Sequence, residues 1–347
     1  MISRKFTIWA CGLLFVFGSC AEDMVKPIEN DKDAPGTVQD VKTESLPGAV
    51  KFTYTLPSDP DLLYVLAKYT NKTGKVMEFR SSFYTNSVTV EGFGDTDTYK
   101  VELYTVDRSE NRSQPQIVEV VPLTPPILSC YESLSMVSDF GGMTFEMDNK
   151  FKSDLAIYVC TPDELGDMVL AETFYSAREE IVYSVRGYDA VPRRFGIFLQ
   201  DKYGNETDTL FTELTPIYER ELDKTKFREM YLQNDSRVDS YDGKMEYVWN
   251  GRISKDGDSG GVGLHTGTGT KDGPAVFTFD LGVLAKLSRF ALWAIQDEKH
   301  FYNDMSPRRY EVWGCATEPN PDGSWDQWVK LLDMENVKPS GSPIGIL

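Results

Sequence analysis

The 347-residue sequence has only two histidines, His265 and His300, both in its last third. Histidine-based general-base or metal chemistry is therefore excluded from everything before residue 265. Cysteine is scarce too, five in all with no C-x-x-C pair, which excludes a zinc site of ordinary spacing. Basic residues are outnumbered, 36 Lys and Arg against 54 Asp and Glu, for a net charge of −18. Such a chain repels a phosphate backbone and offers no basic patch to anionic lipid, so nucleic acid is excluded as a partner. No apolar run reaches the roughly 20 residues that a membrane-spanning helix needs. Neutral ligands remain, and sugars are the obvious class. What is present is 41% hydrophobic and 12% aromatic residues, enough to fill cores in two or three domains.

The N-terminus reads as an export signal. Arg4 and Lys5 form a basic n-region, and Ile8 to Phe17 is an apolar stretch interrupted only by Cys11 and Gly12. FGSCAED (17–23) then resembles the bacterial lipobox, with Phe17 in place of the usual Leu. The resemblance implies a signal peptide over 1–19, acylation of Cys20, and anchorage to the outer membrane at the cell surface, each buried CH₂ contributing ~0.8 kcal/mol. Glu22 and Asp23 resemble the acidic export signal of surface lipoproteins in Bacteroides-type bacteria. Residues 20–36, polar with two prolines, read as a flexible tether. With Cys20 acylated, Cys130, Cys160 and Cys315 remain. An odd number cannot all pair internally. Cys130 and Cys160 fall in one domain and could bond; whether they do stays open.

From there the pattern is strand after strand. Val50, Phe52, Tyr54 and Leu56 alternate with Lys51, Thr53 and Thr55. Leu63, Val65, Ala67 and Tyr69 repeat the alternation, as do Val88 and Val90, and Tyr99, Val101, Leu103 and Thr105. Turn-forming residues separate them at 57–60, 71–74 and 92–95. The next segment repeats the layout: YKVELYTVDRSENRSQ (99–114) parallels RFGIFLQDKYGNETDT (194–209), with Asp107 and Asp201 94 positions apart. GAVKFTY (48–54) echoes GGMTFEM (141–147), and LTP recurs at 123–125 and 214–216. A period this long is that of a domain, not a solenoid. The first copy resembles a fibronectin type III module, with Tyr54 in the core position where that family usually has Trp, and a D-x-x-x-N-x-S/T turn before the last strand. Two tandem immunoglobulin/fibronectin III-like sandwiches, at 37–125 and 126–218, are expected. The Asp and Asn residues of their turns have structural roles, since they satisfy local backbone donors.

Glu219 to Glu229 is charged and reads as a short helix or linker. Beyond about residue 230 the chain becomes rich in Trp and Gly. Its long glycine loop carries GDSGG (257–261), the string around the nucleophile of trypsin-like proteases. That chemistry needs His and Asp upstream of Ser259, and both histidines follow it. GLHTGTGTK (263–271) lacks the G-K-[ST] of a phosphate loop. VFTFDLGVLAKLSRFALWAI (276–295), RRYEVWGCATEPNPDGSWDQWVKL (308–331) and YVWNG (247–251) instead resemble the discoidin, or coagulation factor V/VIII type C, domain. The resemblance implies a galactose-binding-like jelly roll over 230–347, with no strand visible to close it before Leu347. It further implies recognition of carbohydrate by loops at one end. It implies no cofactor, although such a domain can carry a structural calcium ion. The loop 296–309 joins two expected strands, and His300, Tyr302, Asn303 and Arg308 are its candidate sugar contacts: one ring to stack and three polar groups for hydroxyls. Trp249, Trp293, Trp313, Trp325 and Trp328 sit on strand-like segments and are expected mostly in the core.

The fold class expected is all-β: two fibronectin III-like sandwiches, then a discoidin-like jelly roll. The combination resembles the accessory lipoproteins of Bacteroides-type polysaccharide-utilisation systems. It implies a non-catalytic surface lipoprotein that binds polysaccharide or oligosaccharide near outer-membrane glycan transporter components. Two other readings stay open: a glycoside hydrolase or other secreted enzyme subunit, and a surface adhesin that binds protein.

Overall fold

The computed structural model describes residues 32–253, 263–266, 274–294, 302 and 306–338. Cys20, Ser259, His300 and Asn303 lie outside the described residues. The chain divides into two compact units, Met1–Pro216 and Ile217–Leu347.

In the first unit, seven strands build a sandwich: β1 (Gln39–Leu46), β2 (Ala49–Thr55), β3 (Leu62–Thr70), β4 (Val76–Ser82), β5 (Ser87–Glu91), β6 (Tyr99–Asp107) and β7 (Gln116–Val120). One sheet runs β1-β2-β5 and the other β4-β3-β6-β7, all neighbours antiparallel. Period-two patterning drives this arrangement. On β2, Val50, Phe52 and Tyr54 point into the core while Lys51, Thr53 and Thr55 face solvent. Tyr54 fills the core position that the fibronectin resemblance assigns to it. On β3 the alternation differs from the simple expectation. Leu62 is buried and Leu63 only half-buried, because the register against β6 shifts between Leu62 and Tyr64. Beyond that shift Val65, Ala67 and Tyr69 turn inward.

A short helix, α1 (Pro126–Ser133), starts with proline at its first turn, where no backbone donor is needed, and buries Ile127 and Cys130. Seven more strands follow: β8 (Ser135–Asp139), β9 (Gly142–Asp148), β10 (Leu155–Pro162), β11 (Met168–Ser176), β12 (Glu180–Arg186), β13 (Arg193–Asp201) and β14 (Leu210–Leu214). Their sheets run β12-β9-β8 and β11-β10-β13-β14, which reproduces the first sandwich strand for strand in fibronectin type III order. Phe145, Ile157, Phe195, Ile197 and Leu199 lie at the centre of the second core. Burial of large apolar side chains such as these stabilises by about 1.5–3 kcal/mol each, the main term in holding the two sheets together.

Duplication shows most clearly at two turns. Asp107 accepts backbone hydrogen bonds from Ser109 and Asn111 at 2.9 and 2.8 Å, and one from the Asn111 side-chain amide at 2.9 Å. Asp201 accepts the same three from Tyr203 at 2.8 Å and from Asn205 at 3.0 and 2.8 Å. Cys130 is buried, Cys160 partly so, and both are free thiols. The pairing that the sequence left open is not made.

Among the described residues the second unit is also built from strands, in two pairs. β15 (Arg228–Met230) pairs with β16 (Thr278–Asp280), and β17 (Arg309–Gly314) pairs with β18 (Val329–Glu335). The charged segment 219–229 is neither one helix nor a bare linker: it holds a 3₁₀ turn at Lys224–Lys226 and the start of β15. YVWNG enters from a 3₁₀ turn, Met245–Val248, not a strand. Ala291 to Ala294, expected as strand, is irregular in conformation. Phe290, Leu292 and Trp293 are 49, 41 and 61% exposed, so among the described residues their apolar pattern is only partly covered. None of the five tryptophans expected in the core is fully buried. No helix among the described residues is long and apolar enough to cross a membrane.

Candidate functional site

In the second unit, Asp223 caps the Lys224–Lys226 turn by accepting from the Thr225 amide at 3.1 Å and its hydroxyl at 2.6 Å. The turn delivers Phe227 into an aromatic trio. Phe227 meets Trp249 edge-on with ring centroids 5.8 Å apart, and Trp249 meets Phe279 of β16 at 5.2 Å. Trp249 is thereby fixed by packing on Phe227 and Phe279, while part of it remains open. Together with Lys224, Thr225, Glu246, Tyr247, Asn250 and Gly251 it lines a recess of about 460 Å³. Lys224 pairs with Glu221 at 2.5 Å, and this partner holds the Glu221 carboxyl below its ordinary range. Asn250 accepts the Arg252 amide at 2.8 Å, which orients its side chain beside Gly251.

The recess offers two aromatic walls, a carboxylate, a carboxamide and an ammonium. That mixture suits a polyhydroxylated ring, whose C–H face packs on indole or phenol while its hydroxyls meet the polar groups. Sequence reasoning missed Glu246, Tyr247 and Asn250 because YVWNG resembles the early D-G segment of the discoidin family, and it placed Trp249 on a strand-like segment, in the core. The signal was present in the Tyr, Trp and Asn clustered within three positions.

The sequence-derived candidates fall elsewhere. Tyr302 is 42% exposed and adopts a left-handed φ of +50°, uncommon for a side chain of its size. Arg308 extends to Glu335 at the end of β18, with nitrogen–oxygen distances of 3.3 and 3.2 Å, and Arg309 reaches the same carboxylate at 3.1 Å. Arg309 foremost, with Arg308, lowers the Glu335 pKa. Among the described residues no hydrogen bond or ion pair joins Tyr302 to Arg308. A second aromatic surface lies on β17 and the segment before β18. Trp313 and Trp325 meet edge-on at 4.9 Å, and Trp328 lies 6.2 Å from Trp325. Trp313 donates its indole N–H to Glu311 at 2.9 Å, and Lys330, ion-paired to that carboxylate, sits 5.4 Å from the Trp313 ring centroid. No cluster of three or more His, Cys, Asp or Glu suited to a metal ion occurs among the described residues. His265, which follows Ser259 in the chain, packs its ring 5.7 Å from that of Tyr241.

Comparison with known proteins places these observations. Residues 35–122 match a domain of unknown function (DUF4959), residues 123–225 another (DUF5126), and residues 249–347 a third (DUF5000). Among solved structures, the SusE-like protein BT2857 is 99% identical over 37% of this chain and 72% of its own, with a TM-score of 0.36. The chain belongs to the SusE-like proteins. A two-domain fibronectin type III segment of chicken tenascin is 13% identical, covering 52% of this chain and 99% of its own at a TM-score of 0.26. The fn3 domain of the human collagen alpha-1(XX) chain is 14% identical, covering 28% and 92% at a TM-score of 0.24. No curated protein matches.

Proposed function

We propose that this SusE-like chain is a non-catalytic, cell-surface glycan-binding lipoprotein. Cys20 carries the lipid, residues 21–36 form the tether, and the two sandwiches space the second unit from the outer membrane. The observation that carries the reading is the recess walled by Tyr247 and Trp249, with Glu246, Asn250 and Lys224 around it. Its size fits one or two sugar rings, given that small-ligand sites run to roughly 300–1,000 Å³. The loop 296–309, with His300, Tyr302, Asn303 and Arg308, serves as a further contact surface of the same discoidin-like domain. No cofactor is needed for capture of a neutral polymer. The natural neighbours are the outer-membrane glycan transporter components that would receive the captured polymer.

Native electrophoresis of the whole chain in gels cast with a panel of polysaccharides tests this. Retardation by one polymer, lost in Asn250→Ala and Glu246→Gln, supports the recess. Release of reducing sugar from the same polymers would establish an enzyme instead. Absence of retardation by every polymer, together with no sugar release, favours the adhesin.

A further inference from the structure

Strand register places Leu170, Cys160, Gly196 and Phe211 in one row across the four strands of the second sandwich's larger sheet, with Tyr158 and Phe198 in the next row. These are outer-face positions, because Ile157, Val159, Ile197 and Leu199 between them point into the core. Leu170 is 56% exposed, Phe211 42%, and Tyr175 farther along β11 74%. Tyr158 and Phe198 stack with centroids 4.7 Å apart and planes 12° from parallel. A Cβ on Gly196 would lie 2.7 Å from the Phe211 ring, so the ring rests across β13 where a side chain would stand. The Arg194 guanidinium sits 3.9 Å from the centroid of that ring.

The first sandwich serves as an internal control, since its strand order is the same. Its corresponding rows read Arg80–Leu66–Tyr104 and Glu78–Lys68–Glu102–Ile117, with Ile117 53% exposed at the place that Phe211 takes in the second sandwich. Leu66 there is completely covered, although it lies on the outer face. Long charged side chains lie over apolar atoms in this way and keep a sheet face wet. On the second sandwich the charged cover at these rows is Arg194 over Phe211, and the row Leu170–Cys160–Gly196–Phe211 carries no charged residue across all four strands. Patches of this kind mark interaction sites. Tyr, Phe, Met and Arg are also the residues enriched where proteins meet.

Charge decides the occupant. Exposed acids rim the face: Glu213 beside Arg194 in register, Glu206 bonded to Gln200 at 2.7 Å, and Asp163, Glu164 and Asp167 on the β10–β11 turn. A second copy would press this acidic rim against itself, on a chain already at −18. A glycan fits poorly, because Leu170 and Met168 would cover its hydroxyls without returning a hydrogen bond. The Tyr158 hydroxyl already donates to Gln200 at 3.2 Å. We propose that this face docks a different protein, through an apolar surface rimmed by lysine and arginine.

The test places a photo-crosslinking benzoylphenylalanine at Leu170, at Tyr175 and, as control, at Arg80, in the full chain in cells that make it. The same single protein should be captured from the first two positions and not from the third. Once purified, that protein should bind the whole chain, and Leu170→Glu with Tyr175→Glu should weaken it at least about tenfold without moving the unfolding temperature. Glu206→Lys with Glu213→Lys should slow association, and raising salt from about 50 to about 300 mM should do the same. Adducts only with a second copy, only with polysaccharide, or with no macromolecule would overturn the proposal. So would capture at all three positions, or binding indifferent to the Leu170 and Tyr175 substitutions. The failure or success of the glycan-retardation test bears on a different unit and leaves this one standing.

Discussion

The hydroxyl of Tyr203, on the last turn of the second sandwich, donates to the carboxylate of Glu91, at the end of β5 in the first. Beside it the Asn205 amide donates to the Gly92 carbonyl at 3.2 Å. Gly92 is in the left-handed region at φ +85°, and a Cβ there would meet the Tyr203 ring at 2.8 Å. The contact therefore needs glycine twice over, for its φ and for the space. Gly92→Ala is expected to cost about 1–3 kcal/mol, read as a lowered midpoint in urea. Burial first and Glu91 second raise the Tyr203 pKa, and burial also raises those of Tyr69 and Tyr99 nearby. A raised tyrosine keeps its proton in the folded state where the unfolded chain loses it. Stability from this source is thus complete below the unfolded value of about pH 10 and declines as pH rises beyond it. Melting temperatures taken from pH 8 upward should fall above about pH 10, and Tyr203→Phe should reduce that slope.

The paired turns at Asp107 and Asp201 support a second prediction. Asp107 is almost fully buried and accepts three hydrogen bonds, so Asp107→Ala leaves three donors short of a partner. A loss of about 2–4 kcal/mol is expected from urea unfolding, at the upper end for a buried acceptor. Asp201→Ala should cost less directly, because Asp201 is more open. It also frees Asn205, which reaches across to Gly92. Combined with Gly92→Ala, its effect should therefore be less than additive, whereas Asp107→Ala should add fully.

These turns were legible in the sequence because their signal is local: an acid, four residues to an asparagine, two more to a hydroxyl. Ser113 and Thr207 are those hydroxyls, and each accepts a backbone amide, from Thr105 at 3.1 Å and from Leu199 at 3.0 Å. The sandwich strands were legible for the same reason, since alternation over β2 and β6 reports burial directly. The bulge at Leu63 was not, because it depends on what β6 offers opposite it. The second unit was legible only in part. FTFD, RYEVWG and VKLLDME do form strands, but FALW, with the same apolar look, forms none among the described residues. Composition states that a segment wants a partner; it does not state that one is there. The recess at Trp249 was missed on similar grounds, because a tryptophan half in a core and half in a cavity has the same letters as a buried one.

The thiols supply a third test. Burial pushes the Cys130 pKa up to about 11, and burial also raises that of Cys160. A thiol that stays protonated inside a core is a poor nucleophile. Maleimide at pH 7.5 should label Cys315, which is only partly covered, well before Cys130, and denaturation should equalise them. Peptide mapping without reductant should recover Cys130 and Cys160 as separate peptides. A linked pair would contradict the free thiols seen here.

Anchorage gives a fourth. Cys20→Ala should stop incorporation of labelled fatty acid and release the chain from the outer membrane fraction. The folded units should be unaffected, because sixteen residues of tether, 21–36, precede the first sandwich. Persistent acylation of the variant would place the lipid elsewhere.

The last prediction concerns the strength of glycan capture. A ring stacked on Trp249 or Tyr302 gains contact, but the sugar hydroxyls and their protein partners were well hydrated beforehand. Each hydrogen bond then contributes only about 0.5–1.5 kcal/mol net. One unit should bind an oligosaccharide with a Kd on the order of 0.01–1 mM, roughly −4 to −7 kcal/mol. Many lipid-anchored copies meeting one polymer would gain avidity from their effective concentration, so weak single sites suffice at a surface. Calorimetry on the soluble chain should therefore show weak binding, while vesicles bearing many copies retain polysaccharide strongly. Tyr302→Ala tests the loop, and Asn250→Ala the recess. Tyr302 is exposed, so its loss should leave the unfolding curve nearly unchanged while weakening retention. If Tyr302→Ala binds normally and Asn250→Ala does not, the ligand sits in the recess alone. If both bind normally while the polysaccharide is still retained, neither surface is the site, and the tryptophans on β17 and before β18 are the next to substitute.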